Sequence, residues 1–131
     1  MEIKQLISFV VGTRPEAIKL APVIKQFQSS EKLKVRVILT GQHTEMALQV
    51  MKLFDIKPSK NLNLMKKNQS LTYITESILR GIQSEFREYR PDIVIVQGDT
   101  TSAFAAALAA FYEKIPIAHV EAGLRTLDIM N

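Results

Sequence analysis

Residues 91–126, PDIVIVQGDTTSAFAAALAAFYEKIPIAHVEAGLRT, end two apolar runs in a carboxylate: Asp99 follows IVIVQ and Glu121 follows IPIAHV. If those runs are neighbouring strands, the two acids share one sheet edge, on the order of 5–10 Å apart. Carboxylates that close push each other's pKa apart, which is what acid–base chemistry needs. Plainer readings compete. Asp99 could cap the helix that starts at Thr100, and Glu121 could pair with Arg125 or His119. Burial is expected to weigh most on Glu121, which follows an apolar strand and precedes a glycine.

A second feature suits an anion. Gly12-Thr13-Arg14 leads into a helix whose N-terminus offers free N–H groups and a partial positive charge. Arg14 adds a fork of donors that fits a phosphate, or else is an exposed side chain on a capped turn. One glycine makes neither a dinucleotide fingerprint nor a P-loop. His43 lies in a turn and could touch a ligand; His119 alternates with Val120 and could be a hydrogen-bonded core residue. No His and carboxylate set recurs at a metal-binding spacing, so no metal site is expected.

The elements that must carry these residues alternate. Strands are expected at 5–11, 34–40, 93–97 and 115–120, with a short edge strand at 61–65. Thr13 with Glu16 has the spacing of a capping box, and Pro15 suits a first helical turn. Ala17, Leu20, Ala21, Ile24 and Phe27 follow at helical spacing. A second helix carries Ala47, Val50, Met51 and Phe54. A third, capped by Ser70, carries Ile74, Ile78, Ile82 and Phe86, with Gly81 marking a close contact. The fourth, at 100–112, holds six alanines and can lie close to a sheet. The fold class is therefore α/β: a three-layer parallel sheet with helices on both faces. In such a sheet ligands bind at the carboxyl ends of the strands. Those ends bring Arg14, His43, Asp99, Glu121 and Arg125 around one crevice.

Length and composition limit the alternatives. The 131 residues suit one domain, and 47% hydrophobic with 23% charged residues is ordinary for a globular protein. No apolar run is long enough to span a bilayer. The start, MEIKQLISFVVGTRPE, lacks the pattern of a signal peptide, and a cytoplasmic location is expected. Without cysteine there is no disulfide, zinc–thiolate site or thiol catalysis. Residues 1–90 carry 15 Lys and Arg against 8 Asp and Glu, whereas residues 91–131 carry 2 against 5. That excess could attract a phosphate. The lysines are too scattered, and too free of interleaved aromatics, for a nucleic-acid partner.

Four segments then occur together and in order: GTRPEAIKLAP at 12–22, TGQH at 40–43, GDTT at 98–101 and HVEAGLRT at 119–126. Together they resemble the non-hydrolysing UDP-N-acetylglucosamine 2-epimerases, and the resemblance runs over the whole chain. It implies the N-terminal half of a glycosyltransferase-B-type fold, with substrate held between two Rossmann-like domains. It also implies interconversion of UDP-N-acetylglucosamine and UDP-N-acetylmannosamine for cell-envelope polysaccharides. The route is loss of UDP to a 2-acetamidoglucal and its re-addition.

By that resemblance Asp99 and Glu121 are the acid–base carboxylates, and Arg14 and Lys19 lie near the phosphates. His43, Thr100 and Arg125 join the substrate contacts. Gln42 matches a glutamine of a second, regulatory UDP-N-acetylglucosamine site, but Glu45 and Asn68 stand where that site has glutamine and arginine. The family's later PEE motif, a histidine and the main UDP-binding groups are not in this sequence. The expectation is one N-terminal domain over 1–131, with the C-terminal UDP-binding domain absent and the fragment inactive alone. A sugar-nucleotide-binding module without turnover and a hydrolysing relative are the alternatives. The resemblance implies a homodimer for the full-length protein and no metal or nicotinamide.

Overall fold

β1 (Gln5–Val11) runs through the middle of a five-stranded sheet in the computed structural model, which describes residues 3–64, 67–121, 123 and 126–130. Ile7, Phe9 and Val11 enter a core shared with α1 (Arg14–Gln28) and α2 (Thr44–Leu53). Val10 enters a second core, shared with α3 (Leu71–Glu88) and α4 (Thr101–Tyr112). Both faces are covered, so the strand reads as a continuous apolar run. Its neighbours keep the same parity. β2 (Leu33–Leu39) sends Val37 and Leu39 to the first core and Ile38 to the second. β4 (Ile93–Gln97) sends Ile95 to the first, Val94 and Val96 to the second. Phe9 is in register with both Val37 and Ile95, and its ring meets Phe27 edge-on at 5.5 Å.

With β3 (Lys60–Asn61) and β5 (Ile117–Val120) the sheet order is β3-β2-β1-β4-β5, and every pairing is parallel. The expected three layers are present. The chain winds outward from β1 through β2 to β3, then returns to place β4 on the other side of β1. The winding direction reverses between β1 and β4, and a ligand crevice opens at such a switch point. The turns after these two strands carry Arg14 and Asp99.

Two strands are shorter than expected. β3 is only Lys60–Asn61, because it pairs with the last two residues of β2 and then leaves the sheet; Met65 lies outside the described residues. β5 begins at Ile117 because Ile115 turns into the second core after Lys114 takes a positive φ of 57°.

The helices follow their sequence signals. Ser70 Oγ accepts the Tyr73 N–H at 3.1 Å and caps α3. Ser70→Ala is expected to destabilise the chain by about 1 kcal/mol; an unchanged urea midpoint would refute that cap. Ile78, Ile82 and Phe86 are buried on the inner stripe and Ile74 is half-buried. Gly81 faces Leu62, whose Cδ1 lies 3.1 Å from where a Cβ would stand. Five of the six alanines of α4 are buried, Ala107 being half-exposed. The small side chains let α4 lie against the sheet and α3. Arg36 of β2 pairs with the buried Glu85 of α3 and stacks its guanidinium 3.9 Å from the Tyr89 ring. Among the described residues no helix is long and apolar enough to cross a membrane.

Candidate functional site

The turns at the carboxyl ends of the strands are stitched together by short polar contacts. The His43 N–H donates to the Gly12 carbonyl at 2.9 Å, and the Gly98 N–H to the Val120 carbonyl at 3.1 Å. The Thr40 N–H donates to the Val11 carbonyl at 3.0 Å. A hydroxyl chain runs beneath. Ser102 Oγ donates to Gln42 Oε1 at 2.7 Å. Its one proton being used, it accepts from Thr40 Oγ1 at 2.9 Å. Gly12 leaves room for this chain, since a Cβ there would lie 2.0 Å from Ser102 Oγ.

Glu16 ties the two turns of the switch point together. It is 1% exposed. Its Oε2 accepts the Thr13 N–H at 2.6 Å, and its Oε1 accepts the Thr100 hydroxyl at 2.9 Å. The first contact is the carboxylate half of the expected capping box. The second reaches the N-cap of α4. There Thr100 Oγ1 also accepts the Ala103 N–H at 3.1 Å. Burial pushes the Glu16 carboxyl above its ordinary range, and hydrogen bonds from Thr13, Thr100 and Gly12 only partly oppose it.

The pH consequence follows from that direction. The folded state holds the Glu16 proton more tightly than the unfolded state, so stability contributed by the neutral form is fully present at low pH. It is lost as pH rises from the ordinary glutamate value through the raised one. The stability of the native sequence minus that of Glu16→Gln is expected to fall across this window and then level off. Denaturant titrations of both proteins at several pH values check it; a pH-independent difference refutes it.

The predicted carboxylates come together. β4 and β5 are neighbours, with Gln97 paired to Val120, so Asp99 and Glu121 leave adjacent strand ends. Glu121 Oε2 lies 3.7 Å from where a Cβ on Gly98 would stand, over the residue before Asp99. Both acids are exposed, so the expected burial of Glu121 does not hold: β5 is the edge strand of the sheet. Asp99 does not cap α4 either. Thr100 does, one residue later. His119 is exposed instead of lying in the core, and its Nε2 bonds the Gly98 carbonyl at 2.6 Å, bracing the same turn. An open groove of about 440 Å³, lined by Asp99, His119, Phe104, Ala107 and Ile117, lies alongside. A larger hollow of about 620 Å³, by Ile3, Lys4 and Ser30, is at the amino ends of β1 and β2, away from these turns.

The remaining candidates are placed as follows. Arg14 and Lys19 are exposed on the first turns of α1, and His43 is half-buried beside Gly12. Gln42 turns its carboxamide oxygen inward to Ser102. Thr100 has its proton and one lone pair committed within the protein. Arg125 lies outside the described residues. Among the described residues no three His, Asp or Glu gather as a metal site would require. Sequence reasoning missed Glu16 and Ser102 as parts of the site. The available signal for Glu16 was a capping-box spacing that fully accounted for it, and for Ser102 there was none.

Comparison with known proteins agrees with this architecture. A sequence model described as UDP-N-acetylglucosamine 2-epimerase matches residues 25–131. The chain is 53% identical over 125 residues to the UDP-N-acetylglucosamine 2-epimerase of Campylobacter jejuni, covering 95% of this chain and 33% of that protein. The Neisseria meningitidis UDP-GlcNAc 2-epimerase, in its crystal structure bound to UDP-GlcNAc, superposes with a TM-score of 0.91 at 50% identity, over 96% of this chain and 34% of that one. The Methanocaldococcus jannaschii enzyme in complex with UDP-GlcNAc and UDP gives 0.87 at 35% identity, over 95% and 34%. The chain thus spans about a third of the length of the relatives it matches. On its motifs, its parallel sheet and these matches, the chain belongs to the UDP-N-acetylglucosamine 2-epimerase family.

Proposed function

We propose that residues 1–131 form the carboxylate-bearing part of a UDP-N-acetylglucosamine 2-epimerase site. The observation that carries the reading is the pair Asp99 and Glu121 on adjacent strand ends, one strand from the Arg14 turn. In the proposed reaction a carboxylate takes the proton from C2 of the sugar. The C1–O bond breaks, its electron pair leaves with the β-phosphate of UDP, and a C1=C2 double bond forms. Return of a proton to the other face of C2, with attack of the phosphate oxygen on C1, gives the epimer. Asp99 and Glu121 are the two groups for the proton transfers. The N-terminus of α1 with Arg14, and Lys19 nearby, stabilise the charge that develops on the departing diphosphate.

The relatives extend well past the matched third, and the reading assigns the uridine contacts and a further carboxylate to that portion. Residues 1–131 are then one Rossmann-like domain of two, inactive alone, and the whole protein is a cytoplasmic homodimer. Gln42 belongs to a regulatory site that this sequence carries only in part. The test is complementation. This chain, mixed with the separately produced remainder of a relative, is given UDP-N-acetylglucosamine in D₂O. Deuterium at C2 of both epimers by NMR supports the reading. Deuterium-free sugar in every mixture, or full turnover by this chain alone, would overturn it, and free N-acetylmannosamine would indicate a hydrolysing relative.

A further inference from the structure

We propose that Glu16 is a positioning residue: its buried carboxylate holds the Arg14 turn and the Asp99 turn in one fixed geometry across the switch point of the sheet. The inference rests on the functional reading above, which makes those turns the phosphate and proton-transfer groups. Three observations carry it. The two oxygens of one carboxylate are divided between the two turns, Oε2 to the Thr13 N–H and Oε1 to the Thr100 hydroxyl, 84 residues apart in sequence. Thr100 is the N-cap of α4 and the residue next to Asp99, so a displacement of its hydroxyl moves the Asp99 backbone. The link spans β1 and β4, where α1 and α4 diverge to opposite faces of the sheet.

A capping box needs only the first contact. Burying a carboxylate to make the second is unfavourable in itself, as its raised pKa records. The hydrogen bonds that the Glu16 carboxylate accepts come from the Thr13 N–H and the Thr100 hydroxyl, and neither donor is charged. Its ionisation is therefore read out through the two turns and little else.

The test is amide NMR on the ¹⁵N-labelled chain, compared with Glu16→Gln, Thr100→Val and Thr100→Ser. In the native sequence, a pH titration should move the Thr13, Asp99 and Ala103 amides with one shared midpoint above the ordinary glutamate range. Thr100→Val should keep the Thr13 response and lose the other two, and Thr100→Ser should restore them. Glu16→Gln should lose all three. A merely structural contact gives no shared midpoint across two turns. If Asp99 and Ala103 keep that midpoint in Thr100→Val, the proposal is overturned, and this variant leaves Glu16 in place should Glu16→Gln unfold. UDP-N-acetylglucosamine, added to the native sequence, should move the Gly12–Arg14 amides and the Asp99 amide together, and in Thr100→Val only the former. If it moves neither in the native sequence, the functional reading has failed, and the pH titration still decides the role of Glu16.

Discussion

Asp99→Asn and Glu121→Gln, each made in an active protein of the relatives' length carrying these residues, are expected to lower turnover by about 10²–10⁴-fold. That corresponds to roughly 3–5 kcal/mol of lost transition-state stabilisation. The substitutions keep size and hydrogen-bonding shape and remove only the ability to take and give a proton. Both side chains are exposed, and neither acts as the cap of α4. Thermal unfolding should therefore stay close to that of the parent protein, so that lost turnover reports chemistry and not folding. Deuterium incorporation at C2 is the more direct reading. Removing one partner of the pair stops exchange in at least one direction, even where substrate still binds. Near-normal turnover in either variant removes that residue from the pair. The prediction extends to the contact that braces them: His119→Ala, which loses the bond to the Gly98 carbonyl, should have a smaller effect than either, because the turn keeps its Gly98–Val120 backbone hydrogen bond.

The placement of the carboxylates was legible in the sequence because a parallel sheet leaves little freedom. Apolar runs with helical stretches between them dictate βαβ units, and the ends of such strands share an edge. Asp99 and Glu121 therefore had to lie at the same edge, and only the order of strands decided that they were neighbours. What misled was exposure. IPIAHV is an apolar strand in the sequence, yet β5 is the last strand of the sheet, Ile117 is 39% exposed, and His119 and Glu121 face solvent. Hydrophobicity states what a strand can tolerate on its faces, and it does not state whether another element arrives to cover them. The cap of α4 falls on Thr100, one residue after the competing reading of Asp99, for a related reason. Asp99, Thr100 and Thr101 all have side chains able to cap, and the choice depends on backbone dihedrals that composition does not reveal. Glu16 was hidden by a correct local explanation. Its N3 position accounts for one of its oxygens, and the partner of the other is brought in by tertiary structure alone.

The same long-range packing makes Gly12 a position where one methyl group should damage the fold. Gly12→Ala is expected to destabilise the chain by about 1–3 kcal/mol or more. The backbone of Gly12 does not demand glycine; the reason is the approach of α4. An added Cβ would stand 2.0 Å from Ser102 Oγ and 2.4 Å from Ser102 Cβ. Rotating the Ser102 hydroxyl away relieves the first clash and breaks its bonds to Gln42 and Thr40. It leaves the second untouched, because Cβ moves only with the helix. Ser102 is fully buried in the first turn of α4, so relief requires the N-terminus of α4, with Thr100 and Asp99, to shift away from β1. Stability and site geometry should therefore suffer together. A double-mutant cycle isolates the cause. Ser102→Gly alone weakens α4 by about 0.5 kcal/mol through helix propensity and gives up the hydroxyl that bonds Gln42 and Thr40. In the Gly12→Ala background it removes both clashing atoms and should be close to neutral or stabilising. The expected coupling is then within the 0.5–3 kcal/mol typical of residues in contact. Urea unfolding of the four proteins measures it. Additive losses, with Gly12→Ala within about 0.5 kcal/mol of the native sequence, would mean that α4 does not press on this turn, and that the close approach of β1 and α4 is not what sets the spacing of the site.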